Sequence, residues 1–176
     1  MAEPHEALNA LEPAAAAAAL RRCCGSERWV KALLAARPFA STAALHEQAL
    51  RVWSGLDVSD YLQAFSHHPQ IGENLEELRR RFATTHTLSE REQAGVNNAE
   101  ESTLLALREG NRAYRERFGH IFIVCATGKS APEMLALLRQ RLDNEPAAEL
   151  AIAAAEQAKI TRLRLDGLGT SGPAAR

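Results

Sequence analysis

The stretch Phe65-Ser66-His67-His68-Pro69-Gln70-Ile71-Gly72-Glu73 holds the side chain best suited to acid-base chemistry near neutrality. Histidine's unperturbed pKa lies close to physiological pH, so a positioned imidazole accepts or delivers a proton with little tuning. Apolar spacing before His68 predicts a helix that stops at His67 or His68, because Pro69 disfavours helical geometry in the residue it follows. Pro69 also fixes its own φ and so holds the backbone beyond His68. A lone histidine at a helix end is more often a cap or a surface residue, and His68 alone is only a candidate. The neighbouring His67 raises a metal reading, but adjacent helical side chains diverge by about 100°, and no third ligand stands at helical spacing as in H-E-x-x-H. No metal site is expected.

A second polar constellation is Ser89-Glu90-Arg91-Glu92-Gln93. Thr87 and Glu90 have capping-box spacing for a short helix, on which Ser89, Glu92 and Gln93 share one face. Hydroxyl, carboxylate and carboxamide then converge. Taken alone, this is an ordinary polar helix face. A third stretch, Ile121-Phe122-Ile123-Val124-Cys125-Ala126, is β-branched, apolar and too short for a helix, so it is expected as a buried, extended segment. Its backbone groups are not consumed by a helix and must find other partners. Cys125 sits in this apolar run and reads as a core residue rather than a nucleophile.

The elements that must position these residues are helices. Apolar residues recur with the 3.6 period almost throughout, which predicts an all-α chain of about eight short-to-medium helices with one short extended segment near 121–126. The first spans about 13–23 and stops at Gly25. Ser26 caps a second, which ends before Pro38, and Ser41 or Thr42 opens a third, closed at Gly55. Asp57 starts the helix leading to His68. Leu75, Leu78 and Phe82 mark a fifth, Thr87 a short sixth, and 99–118 a seventh. Ser130 and Glu133, with Pro132 in the first turn, open the next, and the last runs from about 146 to 165. Trp29, Trp53, Phe65 and Phe82 fall at core positions. One domain over 1–168 is expected, with a flexible tail over 169–176.

Composition narrows the function classes. At 176 residues with 46% hydrophobic and 24% charged residues, the chain can bury a core and is far from the disordered regime. A net charge of −1 argues against broad capture of nucleic acid or an anionic membrane, and the basic run Arg79-Arg80-Arg81 reads as a solvated helix face. No apolar stretch approaches the roughly 20 residues of a membrane span. Cys23, Cys24 and Cys125 cannot all pair within the chain and form no C-x-x-C, so a reduced compartment is expected. With acidic Glu3 and Glu6 where a signal peptide is basic, and no Ser-Lys-Leu ending, the expected location is cytoplasmic.

Several pieces in fixed order carry a family resemblance: Cys23-Cys24-Gly25-Ser26-Glu27-Arg28-Trp29-Val30, Arg37-Pro38-Phe39, His68-Pro69-x-x-Gly72, Ser89-x-x-Glu92-Gln93, Asn111-x-x-Tyr114-Arg115-x-Arg117-Phe118-Gly119, Phe122 to Ala126, and Ile160-x-x-Leu163-Arg164-Leu165. From about Leu8 to Leu168 the chain resembles the 2-oxo-4-hydroxy-4-carboxy-5-ureidoimidazoline (OHCU) decarboxylase family. The resemblance implies an all-α homodimer that needs no cofactor and converts OHCU to (S)-allantoin in urate catabolism. It implies catalytic roles for His68, Glu92 and Arg164. Substrate contacts are implied for Pro69, for Ser89, Glu90, Arg91, Glu92 and Gln93, and for Phe122, Ile123, Val124, Cys125 and Ala126. Two departures stand out: the His68 motif is one residue shorter than the His-Pro-Asp-Leu-Ala-Gly of some relatives, and Thr127 replaces an arginine.

On this reading His68 is the proton donor and Glu92 orients the substrate hydroxyl and carboxylate, while Arg164 clamps a developing oxyanion. The opposite first move, His68 removing the hydroxyl proton, uses the same residues. Two other classes compete: a non-catalytic helical interaction module, which predicts no turnover, and a metal-dependent hydrolase built on His67 and His68, which predicts sensitivity to chelator.

Overall fold

The computed structural model describes residues 2–68, 74–82 and 90–169, with backbone alone over 90–99. The described residues form helices α1 (Pro4–Asn9), α2 (Pro13–Cys23), α3 (Glu27–Ala35), α4 (Thr42–Ser54), α5 (Val58–Ser66), α6 (Leu75–Arg81), α7 (Glu90–Phe118), α8 (Ala131–Leu142) and α9 (Pro146–Asp166), then a 3₁₀ turn, Gly167–Gly169. No strand occurs among them. The all-α class follows, and no helix among these residues is long and apolar enough to cross a membrane.

The caps read from sequence do their work. Ser26 and Ser41 accept from the backbone N–H of Trp29 and Ala44 at 3.3 and 3.1 Å. Ser130 and Glu133 form a reciprocal box at the start of α8, and Asp57 forms one with Asp60 at the start of α5. Two features differ from the sequence reading. The short sixth and the seventh helix are one 29-residue α7. Gly95, Asn97 and Asn98 each lower helix propensity by about 1 kcal/mol or less, and without a proline nothing there stops propagation. Thr87 of the expected capping box lies outside the described residues. The other difference is α1, six residues before Pro13 that the sequence reading left without structure. A helix so short is unstable alone. Tertiary bonds hold it: the Asn9 side chain donates to the carbonyl of Phe39 and accepts from its N–H, at 2.8 and 2.9 Å.

Contacts divide the chain into two compact units, 1–68 with 154–176, and 69–153, so α9 contributes to both. In the first, Trp29, Leu33, Leu45, Phe65 and Leu165 are buried. The indole N–H groups of Trp29 and Trp53 donate to the carbonyls of Ala49 and Ala154, each at 3.0 Å, so both rings bury without stranding a donor. The 3₁₀ turn lies against α1. The tail expected beyond it falls, from 170 onward, outside the described residues.

The second unit packs Leu78, Leu104, Leu107, Tyr114, Phe122, Met134 and Leu138 together, with Phe82 at the margin. The run Arg79-Arg80-Arg81 is exposed as expected, and Arg79 pairs with Glu101 at 2.6 Å. Helix α7 ends at Gly119, whose φ of 76° is costly for any residue with a Cβ. The chain then runs without helix or strand through Ile121 to Ala126, as the apolar run predicted.

Candidate active site

Within the first unit, α5 is set against α3 by one glutamine. The Gln63 side-chain oxygen accepts from the N–H of Glu27 at 2.9 Å, and its backbone carbonyl accepts from Nδ1 of His67 at 2.9 Å. The His67 ring lies across Gly25, where a Cβ would stand 2.4 Å from its Cγ. His67 is therefore turned to its own helix and to Gly25. His68, whose N–H still bonds the carbonyl of Phe65, sends its ring elsewhere, to α9. The two imidazoles diverge as the helical geometry required, and among the described residues no group of three His, Cys, Asp or Glu could hold a metal ion.

Helix α9 meets His68 with Gln157, Thr161 and Arg164, spaced i, i+4 and i+7 and thus on one face. Gln157 is wholly buried and Thr161 nearly so. Nε2 of His68 lies 2.5 Å from Oε1 of Gln157, and Nε2 of Gln157 lies 3.1 Å from the hydroxyl of Thr161. That hydroxyl lies 3.4 Å from the carbonyl of Cys23. On the other side of the imidazole, Nη2 of Arg164 faces Nδ1 at 3.5 Å, while Nη1 donates to the carbonyls of Arg22 and Cys23 at 3.2 and 3.4 Å. The guanidinium thus rests on the C-terminal carbonyls of α2, where a cation is favoured.

The two ends of this chain dictate its polarity. A guanidinium only donates and a carbonyl only accepts. Nδ1 of His68 must then carry the lone pair and Nε2 the proton; Oε1 of Gln157 accepts that proton's bond, its NH₂ donates to Thr161, and the Thr161 hydroxyl donates to Cys23. Donors and acceptors match along the whole chain in this direction. Burial pulls the His68 pKa below its ordinary value; the Gln157 bond opposes this, and the Arg164 charge adds to the lowering. The resting group is a neutral imidazole with an available Nδ1 lone pair. Burial pushes the nearby thiols of Cys23 and Cys24 up to about 11, so both stay protonated at neutral pH.

The structure brings together His68 and Arg164 of the residues singled out from sequence. Pro69 and Ser89 lie outside the described residues, as do the side chains of Glu90, Arg91, Glu92 and Gln93, whose backbone forms the first turn of α7. Phe122 to Ala126 belong to the second unit. Phe122, Ile123 and Val124 are buried, but Cys125 and Ala126 are half-exposed, not core as the apolar run suggested, because the chain there turns out toward exposed Thr127 and Gly128.

The extended segment is tethered through alternate carbonyls, those of Ile121, Ile123 and Cys125. They bond the ring of His120 at 3.0 Å, Nη1 of Arg141 at 2.7 Å and Nζ of Lys129 at 2.8 Å. Arg141 is itself buried. Its Nε and Nη2 donate to Oε1 of the fully buried Glu149 at 2.8 and 2.5 Å, and its guanidinium lies 4.5 Å from the centre of the Phe122 ring. Asn144 donates to the other Glu149 oxygen at 2.8 Å, and the Tyr114 hydroxyl also bonds Glu149. Burial, then that bond to Glu149, raises the Tyr114 pKa well above the ordinary phenol value, which keeps it a donor.

Sequence reasoning missed Gln157, Thr161, Arg141 and Glu149. A signal existed for the first two: polar residues four apart on an alanine-rich helix, in phase with Arg164. For Arg141 and Glu149, ordinary charged types on helices, nothing in the pattern marks burial.

A family model described as OHCU decarboxylase matches residues 9–166. The uric acid degradation bifunctional protein TTL of Arabidopsis thaliana is 40% identical over 81% of this chain, which spans 44% of that protein's length. The 2-oxo-4-hydroxy-4-carboxy-5-ureidoimidazoline decarboxylases of Amia calva and Mus musculus are 31% and 30% identical, with 78% and 80% of this chain matching 77% and 78% of theirs. A crystal structure of OHCU decarboxylase in the presence of (S)-allantoin superposes with a TM-score of 0.69 at 38% identity, covering 86% of this chain and 96% of that one. With the helical fold and the match over almost its whole length, the chain belongs to the OHCU decarboxylase family.

Proposed function

We propose that this protein decarboxylates OHCU to (S)-allantoin in urate degradation, with His68 as the group that moves the proton. The observation that carries the reading is the His68 imidazole held between the side-chain oxygen of Gln157 and the Arg164 guanidinium, with Nδ1 on the Arg164 side. In the substrate one ring carbon bears both carboxylate and hydroxyl, next to a C=N bond. As the bond to the carboxylate breaks, its electron pair forms a C=C bond, the C=N pair moves to the ring nitrogen, which takes a proton from water, and CO₂ leaves. An enol remains. Nδ1 of His68 takes the enol proton and returns it to the ureido-bearing carbon from one face, which sets the S configuration. The substrate's own C=N accepts the electrons, so the step needs no cofactor.

Arg164 stabilises the enolate oxygen through charge-assisted bonds. Glu92 accepts from the substrate hydroxyl and holds the carboxylate out of the ring plane; Pro69, Ser89 to Gln93 and Phe122 to Ala126 hold the substrate. These assignments rest on the family motifs. The lowered pKa of His68 supports a reading of it as base first and donor second, which draws on both proton-transfer orders left open by sequence. We also infer a cytoplasmic homodimer, from the family resemblance and from three cysteines that form no disulfide among the described residues; sedimentation as a monomer would sink the dimer.

The test is turnover of freshly generated OHCU by wild-type and His68→Ala protein, with and without chelator, followed by circular dichroism of the product. The reading expects (S)-allantoin formation that chelator does not change and that His68→Ala removes. Product at the spontaneous rate, or loss with chelator, would overturn it.

A further inference from the structure

The buried side of the imidazole holds a group that the reaction itself does not explain. Gln157 has no exposed surface, and an amide is costly to bury unless both its ends are paired. Both are: the oxygen on His68, the nitrogen on Thr161. Amide oxygen and nitrogen are nearly the same size, so packing alone would let Gln157 flip and offer NH₂ to the ring. Thr161 prevents this. Its hydroxyl lies 3.4 Å from the carbonyl of Cys23 and also bonds the Cys24 thiol, and a proton turned to that side leaves a lone pair that suits the NH₂ end.

We propose that Gln157 and Thr161 are positioning residues that lock His68 in the Nε2–H tautomer and steady the imidazolium while it carries the proton. The inference rests on the reading of His68 as the proton carrier. When Nδ1 takes the substrate proton, the bond from Nε2–H to Gln157 becomes charge-assisted and strengthens. Arg164, facing the newly protonated Nδ1 at 3.5 Å, opposes the same charge. The cation is thus held on one side and pushed on the other, which favours passing the proton on to carbon. A neutral amide in this place, instead of the carboxylate that orients histidine in hydrolase triads, supports the ring without raising its basicity so far that it rests protonated.

The test uses the full chain with ¹⁵N-labelled histidine, His68 being assigned from the His68→Ala spectrum. Two-bond ¹H–¹⁵N correlations report the tautomer directly, whether or not the ring does chemistry. In wild type, Nε2–H is expected. Thr161→Val keeps the shape but removes the hydroxyl; it should give a mixture of tautomers and a fall of about tenfold or more in kcat with KM little changed, and Thr161→Ser should restore both. Gln157→Glu keeps the shape and adds a charge; it should raise the pH at which His68 titrates by about 1 unit or more and carry the acid limb of kcat with it.

Wild-type tautomer and titration in both variants would overturn the inference, whatever the rates. A changed tautomer with wild-type kcat would uphold the lock and overturn instead the reading of His68 as the proton carrier.

Discussion

The guanidinium of Arg164 stands between two structures, with one nitrogen on the α2 carbonyls of Arg22 and Cys23 and the other 3.5 Å from Nδ1 of His68. Its aim toward the imidazole is therefore set by a helix end and not by the ring alone. Arg164→Lys keeps the charge but not the fork, and a single ammonium cannot serve both places in the same geometry. A loss of about tenfold to a hundredfold in kcat/KM is expected, with the thermal midpoint little changed. Wild-type kinetics in Arg164→Lys would show that a point charge suffices.

The lowered pKa of His68 gives a signed pH dependence. A base is active when neutral, so kcat/KM should stay flat as pH falls through about 6.5, the ordinary histidine value, and drop tenfold per unit only below it. Stability follows the same sign: across that window the unfolded chain binds the proton more readily, so lowering the pH favours unfolding. An acid limb centred above 6.5 would contradict the arrangement.

Gly25 is a steric condition on the end of α5. Gly25→Ala places a Cβ 2.4 Å from Cγ of His67, and the ring must leave its place beside Gln63. Overpacking of this kind costs about 1–3 kcal/mol. The displacement should also reach the next residue, His68, and lower kcat beyond what the loss of folded protein accounts for. Activity per folded molecule equal to wild type would separate His67 from the site.

The pair Arg141 and Glu149 should matter to folding before chemistry. Glu149→Gln leaves the Arg141 charge buried without its counterion, a change expected to remove about 3–5 kcal/mol of stability in urea titration. The same guanidinium holds the carbonyl of Ile123, so the extended segment should loosen, seen as faster amide exchange over 121–126. An unshifted urea midpoint would mean that the buried charge finds another partner.

What the sequence by itself determined was local. Caps at Ser26, Ser41, Asp57 and Ser130, the helix stop at His67, and the extended run at Ile121 to Ala126 all follow from local backbone constraints, and such rules are written in short windows. It failed where stability came from distance. Helix α1 exists because Asn9 grips Phe39 thirty residues away, and α7 passes through Gly95 without a break. The site divides along the same line. Histidine before proline announced His68 as a group able to move a proton, but which nitrogen would hold that proton was not in its neighbourhood. Only the tertiary structure supplies the groups that bear on it, by placing an obligate donor, Arg164, on one side of the ring, and on the other a glutamine bonded through Thr161 toward Cys23 and Cys24. A tautomer is a property of partners, and the partners of His68 lie 89 and 96 residues away in the chain.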